Sequence, residues 1–212
     1  MNTKIFDIEV NKEYKKYFKK SFIVAILAFL IAAILTKIII YLDLFGLKSI
    51  IETQVESIIN EILGHFPEGQ ITASGLFINN IRVLFLAFIS GFIPFIPFPI
   101  VITIINGIVV GGLLGIIASN SSLFGALKML IFGILPHGIT ELGAILIAVA
   151  MGNLIWITIN RKIFRKPIAI KLNEELKYSI KILFFVCVPL ILISAFIEAY
   201  ITPILIAFMQ IR

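Results

Sequence analysis

The chain has 212 residues, 60% of them hydrophobic and only 14% charged, with a mean hydropathy of +1.10. A soluble domain of this length cannot hide so much apolar surface, and several runs reach the ~20 residues a spanning helix needs, so the chain is predicted to cross a bilayer repeatedly. The net charge of +6 would suggest nucleic acid in a soluble protein but here reports orientation, and the single Cys187 excludes an intrachain disulfide or a thiolate metal cluster.

Residues 1–20 carry Lys4, Lys12, Lys15, Lys16, Lys19 and Lys20 among Tyr14, Tyr17 and Phe18. This basic arm is expected to stay on the cytoplasmic side by the positive-inside rule, although it also suits docking on anionic lipid. Residues 21–42 form the first span. The run is too long for a signal peptide and lacks a small-residue cleavage site, so it is expected to be retained. Lys37, near its far end, can snorkel to the interface.

Residues 43–76 change character: Asp43, Glu52, Glu56, Glu61 and Glu68 stand against Lys48, which suits the outer side. Leu47, Ile50, Ile51, Val55, Ile58, Ile59, Ile62, Leu63 and Phe66 recur mostly at three- and four-residue intervals, predicting an amphipathic helix supported by the protein body. The second span, 76–98, opens with Asn79, Asn80 and Arg82 and closes in a rigid turn containing Pro94, Pro97 and Pro99. The third, 100–118, carries Asn106, Gly107, Gly111, Gly112 and Gly115, whose spacing lets helix backbones approach closely.

Residues 123–135 are apolar but would reach only about 20 Å as a helix, short for a crossing. Next comes Leu135-Pro136-His137-Gly138-Ile139-Thr140-Glu141-Leu142, a polar island in the most apolar half of the chain. Pro136 lacks a backbone donor and disfavours helix at Leu135, so Pro136 and Gly138 are expected to break the helix. A full crossing by 123–135 gives six spans and places 160–180 outside; a re-entrant segment gives five and places it inside. That loop holds Arg161, Lys162, Arg165, Lys166, Lys171, Lys177 and Lys181 against Glu174 and Glu175. The bias favours the inside, hence a re-entrant half-helix followed by a span over 139–159. The last span runs from about 180 to 209, with kinks expected at Pro189 and Pro203. The whole is one membrane domain, all-α, of five spans, a re-entrant half-helix and an outer amphipathic helix.

Four blocks then stand in order: Phe77-Ile78-Asn79-Asn80-Ile81-Arg82 with Phe88-Ile89-Ser90-Gly91; Asn106-Gly107 through Gly111-Gly112; Leu135-Pro136-His137-Gly138 through Glu141 to Gly152; and Phe196-Ile197-Glu198 through Thr202-Pro203. In these the chain resembles the stage II sporulation protein M family of integral membrane proteins. The resemblance implies a membrane scaffold, since the family's namesake works in engulfment with enzymes that remodel septal peptidoglycan. Relatives also occur in bacteria and archaea that do not sporulate, and a chain rich in Ile, Lys and Phe suits a thermophile.

The candidate site is His137, Glu141 and Glu198, with Asn80 and Asn106 as polar neighbours. His137 and Glu141 share a helix face, and ionisable groups at membrane depth face a protein interior or a wet cavity. Three readings follow: a structural polar cluster satisfying backbone freed at Pro136, a transport or proton-relay site at a broken helix, and a metallo-hydrolase. The last wants three protein ligands, and His65, the other histidine, sits in the outer loop. No catalytic residue, metal ligand or cofactor is assigned. The expected role is a scaffold or assembly factor in the cell membrane, with an ion- or proton-coupled transporter of small molecules or lipids as the alternative. Expected partners are membrane lipids and other membrane or envelope proteins, not nucleic acid; the small-residue faces also suit a homo-oligomer.

Overall fold

A computed structural model describes residues 12–64, 72–167 and 171–210, with side chains for all of these but 58–64 and 209–210. Among the described residues the ordered elements are all helical. Five helical paths are long and apolar enough to cross a bilayer: Lys12–Tyr41, Ala73–Phe92, Phe98–Asn120, Leu123–Ile163 and Leu172–Phe208. They contain α1 (Lys12–Tyr41), α3 (Ala73–Ile89), α4 (Phe98–Asn120), α5 and α6 (Leu123–Lys128 and Leu135–Ile163), and α7, α8 and α9 (Leu172–Ile182, Val188–Phe196 and Thr202–Gln210); α2 (Lys48–Gly64) lies between the first two paths.

Local chemistry sets several ends. Thr72 accepts from the Gly75 N–H at 3.1 Å to cap α3, and Ser122 accepts from the Gly125 N–H at 2.9 Å to cap α5. Arg161 and Lys162 occupy the last turn of α6, where cations complement the helix dipole. The proline-rich turn before α4 places Pro97 at its N-cap and Pro99 inside its first turn; the Phe95 N–H is taken by the Asn160 side chain at 3.1 Å.

α6 is the central helix. Two thirds (67%) of the most apolar window in its path is buried, against 28–39% in the other four. Ala144, Ala148, Val149, Met151 and Ile155 are fully enclosed and share a core with Ala25 and Phe29 of α1, Leu84 and Ala87 of α3, and Cys187 and Ile191 of the last path. The outer faces of the bundle present apolar side chains such as Leu27, Ile31, Ile34 and Leu35, as lipid contact requires.

Glycines bring backbones together. A methyl on Gly107 would lie 2.6 Å from the Phe29 carbonyl oxygen, one on Gly111 would collide with the Ala33 backbone, and one on Gly115 would lie 3.0 Å from Ile40 Cβ, so α4 is seated directly on α1. Gly91 and Gly152 abut in the same way, and Gly152 also faces the Ala87 carbonyl, joining α3 to α6. The expectation that Gly107, Gly111, Gly112 and Gly115 serve close packing holds.

Two expectations at the polar island are corrected. The chain does not reverse at Pro136, and Gly138 does not break the helix: Leu123–Ile163 is one helical path, with Leu135 in right-handed helical geometry and Pro136 in the first turn of α6. The proline is accommodated by a π-helical turn, Met129–Ile134, after which the Leu135 N–H bonds to the carbonyl of Leu130, five residues back. The wider turn makes room for a ring that would otherwise press on the carbonyl four residues earlier. The same device recurs twice: a π turn at Leu183–Cys187 precedes Pro189, and another at Ile197–Ile201 precedes Pro203. A re-entrant half-helix is therefore absent from this path, yet the candidate spans still number five among the described residues, because α6 alone, at 29 residues, reaches about 43 Å.

Between the first two paths, α2 forms where the outer helix is expected. Val55 is fully buried and rests against Gly112 of α4, while Lys48 Nζ reaches Asn120 Oδ1 at 3.4 Å. Ile50 is exposed. The side chains of Ile58, Ile59, Ile62 and Leu63, and the whole of His65, Phe66 and Glu68, lie outside the described residues, as does the arm before Lys12.

Candidate intramembrane polar site

His137 and Glu141 are one helical turn apart at the start of α6, and Ser194, Glu198 and Thr202 follow at four-residue intervals down the facing path from α8 to α9. The two stripes meet. The candidate ligand atoms of His137, Glu141 and Glu198 all lie within 4.8 Å of one another. Thr202 Oγ1 is 3.2 Å from His137 Nδ1. Ser194 Oγ donates to Glu141 Oε2 at 3.2 Å and approaches the His137 carbonyl at 3.3 Å, which also accepts from Thr140 Oγ1 at 2.8 Å.

From α3, the Asn80 side chain stands beside the Glu141 carboxylate. Its Oδ1 accepts from Asn79 Nδ2 at 3.2 Å, but its own Nδ2, on a residue only 5% exposed, meets no hydrogen-bond partner. Among the described residues, neither Glu141 nor Glu198 forms an ion pair with a lysine or arginine. A cavity of about 410 Å³ opens against His137 and Glu141, walled by Phe29 and Leu30 of α1, Asn106 and Val110 of α4, and Leu130, Ile134 and Ile145 of the central path. The arrangement can bind: the Glu141 carboxylate and the His137 imidazole, with Glu198 within 4.8 Å and the Asn80 amide beside Glu141, face a space large enough for an ion with its waters or a small molecule.

Of the residues singled out in sequence, His137, Glu141, Glu198 and Asn80 come together. Asn106 lines the cavity but bonds its own helix, Nδ2 to the Ile102 carbonyl at 2.9 Å. Pro136 shapes the preceding turn, and Gly138 lines the cavity. Ser194 was missed; its signal was the Ser194-x-x-x-Glu198-x-x-x-Thr202 spacing, which a four-residue search from the buried acid would have found. A second buried layer was missed altogether. Near the start of α1, Tyr14 Oη lies 3.0 Å from Ser179 Oγ, Asn153 Nδ2 donates to Ser21 Oγ at 3.1 Å, and Thr158 donates to the fully buried Glu175 at 2.8 Å. Glu175 read as one acid in a basic loop, although Glu175 and Ser179 are also four residues apart.

Fold and site together define a polytopic helical membrane protein with a polar centre between its helices. The sequence model of the family described as Stage II sporulation protein M matches residues 21–203. The chain belongs to that family. It is similar to the uncharacterized protein MJ0793 of Methanocaldococcus jannaschii, at 34% identity over 143 residues, which cover 68% of this chain and 78% of that protein. No solved structure matches.

Proposed function

We propose that the protein is a scaffold or assembly factor for a membrane complex, with Lys12 and the loop after Ile163 on the cytoplasmic side of the cell membrane and α2 outside. The observation that carries the scaffold reading is the backbone-to-backbone seating at glycine: α1 on α4 through Gly107, Gly111 and Gly115, and α3 on α6 through Gly91 and Gly152. Alternating access needs bundles that rock against each other. Seams without intervening side chains at two separate interfaces favour one rigid body that presents fixed surfaces. Family membership points the same way, and α2, seated on α4 through Val55, supplies an ordered outer element for a partner.

Affinity purification from native membranes under mild detergent tests this. The expected result is a reproducible set of membrane or envelope proteins, reduced when exposed α2 positions such as Ile50, Gln54 and Glu56 are replaced. A second reading, transport of an ion or small molecule, is favoured by the cavity against His137 and Glu141. Pure protein in liposomes decides between them: ion- or pH-driven flux that disappears in Glu141→Gln would overturn the scaffold reading, and no flux above empty liposomes would remove transport.

A further inference from the structure

We propose that His137, Glu141 and Glu198 bind a single divalent first-row transition-metal ion, of the Zn²⁺ or Mn²⁺ class, bridging the central helix and the last membrane path. The proposal goes beyond the scaffold reading and does not depend on it.

Charge gives the first argument. Two carboxylates lie within 4.8 Å of the same imidazole, and no lysine or arginine among the described residues pairs with either. Two buried anions side by side repel, and charges inside a membrane protein normally pair or meet a counter-ion. A dication with two carboxylates and a neutral imidazole makes a site of zero net charge.

The surroundings give the second. A metal-bound histidine typically has its other ring nitrogen held by a hydrogen bond, which fixes tautomer and ring orientation. Here the buried Thr202 hydroxyl holds Nδ1 and leaves Nε2 for the ion. Ser194 likewise occupies Glu141 Oε2 and leaves Oε1. Both potential ligands are steadied from the facing path by hydroxyls that flank Glu198 by four residues on either side.

The third is the Asn80 amide. Its Nδ2 is buried beside Glu141, close enough to act on the carboxylate but without a hydrogen bond of good geometry, and a poorly met buried donor is costly. A water completing the coordination of an ion at Glu141 is the acceptor it lacks. The cavity of about 410 Å³ reaches His137 and Glu141 and provides space there for water bound to the ion.

Neighbouring ligand atoms around a tetrahedral ion with bonds of ~2.1 Å stand about 3.4 Å apart. The observed spread of up to 4.8 Å is wider than this, so holding an ion requires the glutamate side chains to turn inward from the positions seen here. One imidazole with two carboxylates suits Zn²⁺ or Mn²⁺ better than Mg²⁺ or Ca²⁺, which prefer all-oxygen sites.

The test uses full-length protein, purified without a histidine tag, stripped with chelator and dialysed against ZnCl₂ or MnCl₂. The expected result is saturable uptake of one ion per chain, not displaced by an equal concentration of Mg²⁺. Affinity should fall by about tenfold or more in Glu141→Gln, Glu198→Gln and Thr202→Val; Glu56→Gln, on exposed α2, should bind like the wild type. Absence of saturable uptake by the wild type, displacement by Mg²⁺, or unchanged affinity in both glutamine variants would overturn the proposal. Should those variants fail to fold, Co²⁺ added to the wild type decides. A visible absorption band distinct from aqueous Co²⁺, without a thiolate charge-transfer band from the single Cys187, supports the site; the spectrum of the free ion rejects it.

Discussion

Ser194 shows how much one hydroxyl can organise. It is fully buried, donates to the Glu141 carboxylate and approaches the carbonyl of His137, so it couples the side chain of one candidate residue to the backbone of the other. Polar contacts between membrane helices average about 0.6 kcal/mol, because the unfolded chain in lipid also finds partners. Ser194→Ala should therefore lower stability by about that amount in a mixed-micelle unfolding titration, with the helical circular-dichroism signal kept. A loss of several kcal/mol would mean that Glu141 depends on this one donor. The residue also marks the limit of reading a site from sequence. Glu141 and Glu198 stand out because an acid in an apolar run is expensive, and His137 because it lies one turn from Glu141. Serine is common at packed helix faces for its small size, so nothing in its identity separates a packing serine from one holding a carboxylate. Asn80 and Asn106 looked equivalent in sequence; only the direction of each side chain separates the one beside Glu141 from the one bonded to its own helix.

At the scale of elements, the spans were legible and so were the sites of irregularity at Pro189 and Pro203, but not the π turns that form there. Hydropathy and length locate the crossings because the bilayer imposes both. The short run 123–135 misled, since a proline rule derived from regular α-helix demanded a break at Leu135. A π turn satisfies the same proline without one, and it depends on hydrogen-bond register, which composition does not report. The glycines divide in a testable way. Gly152 faces the Ala87 carbonyl and the Gly91 backbone, whereas a methyl on Gly143, in the same helix, would meet nothing within 4 Å. Gly152→Ala should destabilise by roughly 1–3 kcal/mol through overpacking. Gly143→Ala should be neutral or stabilising by up to about 1 kcal/mol through helix propensity. Thermal unfolding of both variants in one detergent gives the comparison; equal melting temperatures would show that the α3–α6 seam tolerates an added methyl.

For the whole molecule, five crossings, as proposed, would gather the basic segments on one side. The end of α6 meets both the start of α1, where Arg161 lies over the Tyr17 ring at 5.6 Å, and the turn before α4, where Phe95 meets Phe164 edge-on at 6.3 Å. With that end inside, as the positive-inside rule requires, an impermeant maleimide should label Glu56→Cys but not Lys166→Cys on intact cells. The fully buried Cys187 adds no background. Labelling of Lys166→Cys from outside would invert the protein. Charge counting in the sequence leads to the same proposed placement with or without the re-entrant segment, because both paths leave the basic loop on the same side.

The three π turns have a consequence for how such a chain can change over time. Each carries a residue more than the α-helical path it replaces and lies immediately before the X-Pro pair it accommodates: Leu135-Pro136, Val188-Pro189 and Thr202-Pro203. Replacing a proline alone leaves the surplus residue behind, because packed faces on both flanks fix how many residues fit between them. Deleting that residue alone drives the ring back onto the carbonyl four positions earlier. Proline and residue count are thus locked as a pair. Loss of one calls for a one-position gap in the helix beside it, in a region where gaps are otherwise forbidden by the rotation they impose on everything downstream.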